Sequence, residues 1–226
     1  AWRMGGSKMF VKVDTRVSVE DLLRGVIVQS GNDASVVLAE GLAGSEEAFA
    51  DEMTVRAREI GLVDSVFRKA TGWPDPEHVM TSRDLAILAR RVIHDHPQYY
   101  GYFAEKTFTY NQIRQGNRNP LLYRETGADG LKTGHTEASG FGIVASAVRR
   151  GRRLILVLNG LTGVNERSRE AERLLDWGFR EFKNYELFKP GEVVDAVPVW
   201  LGDDAIVPLV IEEPLVITMT RKARRD

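Results

Sequence analysis

The sequence predicts an α+β fold in which helices surround one central antiparallel sheet, followed by the start of a small β-rich domain. Apolar residues recur at helical spacing through residues 18–96, and the period changes towards that of strands from about Thr107. After Gly191 only short β segments remain. The length of 226 residues suits one domain with an appendage or two compact domains. We place the boundary so that residues 1–186 form the main domain and residues 187–226 begin the second.

Four helices are predicted before Pro97 from their caps and apolar stripes. Ser18 with Asp21 three residues later is a cap pattern, and the helix it opens runs to about residue 29. Glycine in residues 30–33 predicts a short break, so that Ser30 lies between two helices. The remaining helices are expected at residues 34–42, 45–60 and 81–96, and the Gly- and Pro-containing residues 70–80 form a loop long enough to be a wall of a site.

Apolar runs and turn signals predict the sheet. Arg149-Arg150-Gly151-Arg152 is typical of a hairpin turn. Residues 165–182 carry an apolar face that could cover the sheet. The β segments after Gly191 are too few to form a stable sheet alone, so we expect a second domain cut short. The predicted strands are residues 108–110, 130–134, 141–148 and 154–158, and then 193–194, 197–201, 206–211 and 215–219.

The composition excludes several classes of protein. Lys and Arg number 31 against 32 Asp and Glu, so no field of one sign draws the chain to nucleic acid or anionic lipid. The absence of cysteine excludes disulfides and thiolate metal sites. His78, His94 and His96 do not have a ligand spacing, so no metal and no other cofactor is predicted. No apolar run has the length of a membrane helix or a signal peptide, so the chain either starts inside a mature protein or is cytosolic.

Two short motifs carry the predicted chemistry. They are Ser30-Gly31-Asn32 at the break between helices and Lys132-Thr133-Gly134 on a predicted strand. Alone, Ser30 and Asn32 would be read as helix caps. Together and in this order, the motifs match a set of serine acyltransferases in which Ser-x-x-Lys supplies the nucleophile, Ser-Asp-Asn lines the cleft and Lys-Thr-Gly lies on the flanking strand. Gly31 replaces the Asp of the middle motif.

On these motifs the chain resembles the low-molecular-mass penicillin-binding proteins that are D-alanyl-D-alanine carboxypeptidases. The resemblance implies their β-lactamase/transpeptidase-like fold, and it extends over most of residues 1–186, while the remainder resembles the start of the C-terminal β domain. It rests on residues 23–34, 108–119, 130–136, 140–147 and 167–179.

The resemblance also implies roles for individual residues. Ser30 would pass a proton towards the leaving D-alanine, and Asn32 would bind the substrate amide and steady the general-base lysine. Lys132 would supply a positive charge for the substrate carboxylate. The substrate-binding residues would be Thr133 through its hydroxyl, Gly134 by leaving the strand edge free, His135 through its backbone N–H, and Arg167 through a fork of hydrogen bonds, with Arg169 as the alternative.

No serine of the chain is followed three residues later by lysine, which departs from the family pattern. We therefore expect the nucleophile motif to lie upstream of Ala1, the parent protein to be an enzyme, and this chain alone to be inactive. The implied partners are a peptidoglycan pentapeptide ending in D-Ala-D-Ala and β-lactam antibiotics. The implied location is periplasmic or otherwise extracytoplasmic, with membrane association only through a C-terminal part beyond these residues.

Three other functions remain open from sequence. A class A-like β-lactamase shares the motifs and needs a glutamate to activate water, for which residues 70–80 offer Glu77. A non-catalytic protein that binds wall peptides would keep the fold without the nucleophile. A metal-dependent hydrolase is disfavoured by the histidine spacing.

Overall fold

A computed structural model describes residues 4–224, and the chain divides into two compact units, Ala1–Leu175 and Asp176–Asp226. The division falls inside one helix, earlier in the chain than the boundary at residues 186 and 187 expected from sequence. The helices are α1 Val19–Ile27, α2 Asn32–Ala43, α3 Glu46–Glu59, α4 Ser82–Asp95, α5 Pro97–Tyr100 and α6 Val164–Glu181. The strands are β1 Thr107–Tyr110, β2 Ile113–Gly116, β3 Ala128–Thr136, β4 Gly140–Arg149, β5 Arg152–Leu161, β6 Phe182–Phe188, β7 Val193–Pro198, β8 Ile206–Val210 and β9 Leu215–Thr220.

Side-chain caps start three of the first four helices. The hydroxyls of Ser18, Ser45 and Thr81 each accept a hydrogen bond from the backbone N–H three residues later. Helix α2 is the exception. Its N-cap residue is Gly31, which has no side chain to accept a hydrogen bond from the first turn. The capping interpretation of Ser30 and Asn32 is therefore wrong, and both polar side chains are left for other contacts.

The first unit contains an antiparallel sheet with the order β3-β4-β5 among the described residues. Strand β3 pairs only with β4, so its other edge is unpaired within residues 4–224. The predicted hairpin between β4 and β5 is confirmed, with Arg150 and Gly151 both at positive φ as a tight turn requires. Helix α4 contacts β5. The predicted α+β class, with helices packed around an antiparallel sheet, is confirmed.

Two strands were not predicted. Strand β2 follows β1 through a turn at Asn111 and Gln112, both at positive φ. It was not predicted because its sequence, Ile-Arg-Gln-Gly, has no alternation of apolar and polar residues. Strand β6 directly continues α6, and it pairs with β9. The strand predicted over residues 197–201 ends at Pro198, because the chain turns there and Leu201 has a φ of 60°.

The second unit contains two separate two-stranded sheets among its described residues, β6 with β9 and β7 with β8. Most of the apolar side chains on β7 and β8 are exposed. Within residues 4–224, no helix combines the length and the apolar character needed to cross a membrane.

Candidate active site

Ser30 lies at the junction between α1 and α2 in a backbone conformation that is uncommon for residues other than glycine. Its φ is 57°, in the left-handed region. The N–H of the next residue, Gly31, donates to the carbonyl of Gly25 over 2.9 Å, which closes the end of α1 over the turn. Left-handed residues of this kind concentrate at functional sites, where the surrounding structure holds them.

Lys132 on the edge strand β3 meets that hydroxyl. Its Nζ donates to the Oγ of Ser30 over 2.7 Å and to the carbonyl oxygen of Thr133 over 2.8 Å. Burial of the amine, together with the positive charges of Arg118 and Arg167, lowers the pKa of Lys132 to about 8. A lysine with a pKa in this range exchanges protons readily near neutral pH. The structure thus brings the two sequence motifs together at one point.

Arg167 adds a second cation to this point. Its residue is only 6% exposed, and its Nε has no hydrogen-bond partner among the described residues. Burial lowers the pKa of the Arg167 guanidinium, and the charge of Arg118 acts in the same direction. No Asp or Glu within residues 4–224 forms an ion pair with Lys132, Arg118 or Arg167. Burial of an unpaired positive charge raises the free energy of the folded protein. The cation cluster of Lys132, Arg118 and Arg167 is therefore suited to bind an anion.

Arg169, the alternative to Arg167, lies elsewhere on α6. Its side chain is 69% exposed and pairs with the neighbouring Glu170. The structure therefore brings Arg167, and not Arg169, close to Lys132.

An aromatic pair connects the edge strand to Arg167. His135 on β3 and Phe141 on β4 are cross-strand partners, with ring centroids 4.0 Å apart. The Arg167 guanidinium lies 5.9 Å from the centroid of the same Phe141 ring. Phe141 therefore supports His135 and Arg167 together, a role that the sequence did not reveal because the residue reads as an ordinary strand position.

The remaining residues of the Lys-Thr-Gly motif differ in exposure. Thr133 is 8% exposed, while Gly134 lies on the surface, and a Cβ added to Gly134 would meet no atom within 4 Å. The face of β3 is therefore open at Gly134, on a strand whose outer edge is unpaired among the described residues.

Asn32 contacts the N-terminal part of the chain. Its Nδ2 donates to the carbonyl oxygen of Gly5 over 2.9 Å. A Cβ added to Gly6 would lie 2.9 Å from this Nδ2 and 3.3 Å from the Trp73 ring. The loop of residues 70–80 thus reaches the neighbourhood of Asn32 through Trp73.

Arg118 is the functional candidate that the sequence analysis missed. It is exposed and lies between Asn117 and Asn119, which are both buried. Asn119 donates from Nδ2 to the carbonyl of Gly130 on β3 over 2.9 Å, and it accepts from the N–H of Leu121. This network fixes the loop against the strand that carries Lys132. Two asparagines flanking an arginine were the only sequence signal, and asparagine in a loop is too common to single out.

The other residues considered from sequence, Glu77, His78 and His96, form local contacts outside this site. Glu77 pairs with Arg68 over 3.1 Å and forms no contact with Ser30 or Lys132. His78 accepts at Nδ1 from the backbone N–H groups of Arg68 and Lys69, and burial lowers its pKa. His96 is the C-terminal cap residue of α4. Within residues 4–224 no group of three or more His, Asp or Glu side chains is placed to hold a metal ion.

Two protein-family models match the chain. The profile described as D-alanyl-D-alanine carboxypeptidase matches residues 1–162, and that of the penicillin-binding protein 5 C-terminal domain matches residues 182–226. The chain belongs to the D-alanyl-D-alanine carboxypeptidase family. The resemblance inferred from the motifs is confirmed.

Individual relatives agree with this assignment. The D-alanyl-D-alanine carboxypeptidase DacC of Escherichia coli K12 is 43% identical over 218 residues, covering 96% of this chain and 54% of the relative. The chain thus spans about half the length of that relative. Penicillin-binding protein 5 of Haemophilus influenzae superposes with a TM-score of 0.87 at 40% identity, over 96% of this chain and 63% of that one. Penicillin-binding protein D2 of Listeria monocytogenes, in its ampicillin-bound form, gives 0.71 at 29% identity, over 78% and 74% of the two chains.

Proposed function

We propose that the protein is a serine-type D-Ala-D-Ala carboxypeptidase that acts on peptidoglycan stem peptides through an acyl-enzyme and is acylated by β-lactams at the same site. A Ser-x-x-Lys nucleophile would come from a part of the protein outside these 226 residues. The observation that carries the proposal is the 2.7 Å bond from Lys132 to Ser30, beside the cation cluster and the free edge of β3.

The cation cluster supports recognition of a C-terminal carboxylate. Arg167 offers planar N–H donors that match a carboxylate, and Arg118 and Lys132 add positive charge nearby. The hydroxyl of Thr133 is a further donor on the same strand. A peptide ending in D-alanine would lie along the unpaired edge of β3, where Gly134 leaves room for its backbone.

The pair of Ser30 and Lys132 supports proton transfer. In our proposal the general-base lysine of the Ser-x-x-Lys segment takes the proton of the attacking serine. The Ser30 hydroxyl then receives a proton from that lysine as it passes its own to the amine of the leaving D-alanine, and Lys132 keeps the hydroxyl oriented through its hydrogen bond. Asn32 would donate to a carbonyl of the substrate peptide, as its Nδ2 does to the carbonyl of Gly5. The backbone N–H of His135 would supply one oxyanion donor, and the N–H of the nucleophilic serine would supply the other.

The substrate implies where the protein works. Peptidoglycan stem peptides are exposed outside the cytoplasmic membrane, so we place the protein in the periplasm or an equivalent extracytoplasmic space.

A titration of the 226-residue chain tests the carboxylate half of the proposal. N-acetyl-D-Ala-D-Ala should shift the NMR signals of Thr133, Gly134 and the Arg167 side chain in a saturable way. The matching dipeptide amide, which lacks the carboxylate, should cause no comparable shifts. Arg167→Ala should abolish the effect of the acid, while Arg169→Ala should retain it. Equal shifts by acid and amide would contradict the proposal.

A further inference from the structure

We propose that Asp33 is a positioning residue that fixes the Ser30-Gly31-Asn32 turn by tying the first turn of α2 to residues 9–11. This role is distinct from substrate contact, because Asp33 is only 2% exposed. The inference rests on the proposed function only for the roles of Ser30 and Asn32, while the connection itself rests on the contacts described below.

Both oxygens of the Asp33 side chain are used by backbone donors. Oδ1 accepts from the N–H of Met9 over 2.8 Å and from the N–H of Ala34 over 3.0 Å. Oδ2 accepts from the N–H of Val11 over 2.9 Å. One side chain therefore joins two donors of the N-terminal segment to the start of the helix that follows Asn32.

The turn itself is packed within this connection. A Cβ added to Gly31 would lie 3.1 Å from Oδ1 of Asp33, 3.1 Å from the backbone nitrogen of Met9 and 3.2 Å from the carbonyl of Gly25. The N–H of Asn32 donates to the carbonyl of Ser7 over 2.9 Å. The turn therefore has little space to change shape while Asp33 holds residues 9–11, and the steric contacts explain why glycine stands between Ser30 and Asn32.

The segment is itself anchored in the core. Met9 is fully buried, and it packs with Val11, Leu22 and Ala34 in one apolar cluster. The hydrogen bonds from Met9 and Val11 to Asp33 therefore connect this buried cluster to the turn. Without its acceptors, Ser30 would relax from its left-handed φ of 57°, and its hydroxyl would move away from Lys132.

The test uses Asp33→Asn in the 226-residue chain, with the titration of Lys132 followed by NMR of its Cε group. If Ser30 moves away, water reaches the amine of Lys132. The pKa of Lys132 should then rise from about 8 towards 10.5. Loss of a negative charge alone would lower that pKa, so an upward shift reports the change in hydration. An unchanged or lower pKa in a folded variant would overturn the proposal. The titration of Lys132 does not require enzymatic activity. A negative result for the role of Asp33 can therefore be distinguished from a failure of the proposed function.

The control is Asp84→Asn. Asp84 is also fully buried near the start of a helix, and it accepts from the backbone N–H of Asp64 and the hydroxyl of Ser65. Both variants should lower the thermal midpoint, but only Asp33→Asn should change the titration of Lys132. The same change in both variants would mean that Asp33 acts through general stability, and the positioning role would be wrong.

Hydrogen exchange of the unaltered chain provides a second measurement if Asp33→Asn does not fold. The amides of Met9 and Val11 should have the same protection factors as those of Gly31 and Asn32, within about threefold, because a single local opening breaks the hydrogen bonds of all four. If Gly31 and Asn32 stay protected after Met9 and Val11 have exchanged, the turn holds without the connection and the proposal fails.

Discussion

Lys132 and Ser30 are 102 positions apart in the chain, and the Nζ of the lysine donates to the serine Oγ over 2.7 Å. One residue belongs to the edge strand β3 and the other to the α1–α2 turn, so this bond joins the sheet to the helices at the candidate site. The buried Arg167 lies near the same point with an unpartnered Nε.

Replacement of Lys132 should impair both reactions of the family. In a version of the protein that carries the Ser-x-x-Lys segment, Lys132→Ala should slow acylation by penicillin and turnover of a D-Ala-D-Ala peptide together, because both ligands present a carboxylate to this lysine. Lys69→Ala is the control. Unchanged rates for both substrates would remove Lys132 from the site.

The two arginines of α6 should differ in effect. Arg167→Ala in the same version of the protein should lower kcat/KM for the peptide by roughly 10-fold to 150-fold, since a hydrogen bond to a charged group contributes about 1.5 to 3 kcal/mol. Arg169→Ala should matter little, because that side chain is exposed and paired with Glu170. Steady-state kinetics decide between them, and the reverse ranking would contradict the assignment of Arg167.

The lowered pKa of Lys132 predicts how stability changes with pH. Its folded value of about 8 lies below the ordinary 10.5, so the unfolded chain binds more protons between these values and stability rises with pH across the interval. Relative to Lys132→Met, the free energy of unfolding of the unaltered chain should rise by on the order of 3 kcal/mol from pH 7 to above pH 10.5. Urea unfolding at several pH values measures this, with Arg169→Met as the control. A difference that stays constant with pH would show that the amine is not buried.

Asn119 should be needed to hold Arg118 against β3. Asn119→Ala leaves the buried carbonyl of Gly130 and the N–H of Leu121 without this partner, which should cost roughly 1 to 3 kcal/mol of unfolding free energy. Asn184→Ala, at an exposed amide bonded to Thr218, should cost much less. Chemical denaturation compares the two variants, and equal losses would contradict the role of Asn119.

Much of the fold was predictable because local signals are strong where caps and apolar runs coincide. Ser18, Ser45 and Thr81 cap helices as their sequence context indicates. The hairpin at Arg150 and Gly151 follows from the same kind of local rule. Strand β2 was missed because neither of its faces is consistently apolar, and β6 because it continues a helix without a break.

The site was predictable only in part. The motifs pointed to Ser30 and Lys132, and the family resemblance pointed to Arg167. Arg118 was missed because its importance depends on charges that the fold brings near it, and not on any neighbour in the chain. Electrostatic clusters of this kind arise from tertiary packing, which local sequence does not encode.

The most direct measurement is mass spectrometry of the 226-residue chain after incubation with penicillin, alone and after mixing with a separately expressed segment that carries Ser-x-x-Lys. We expect no adduct on the chain alone, because no serine in it has lysine three residues later. After mixing, we expect one penicillin on the added segment, and loss of that labelling with Lys132→Ala. An adduct of one penicillin on the chain alone that Ser30→Ala abolishes would contradict the account, because Ser30 would then itself be the nucleophile.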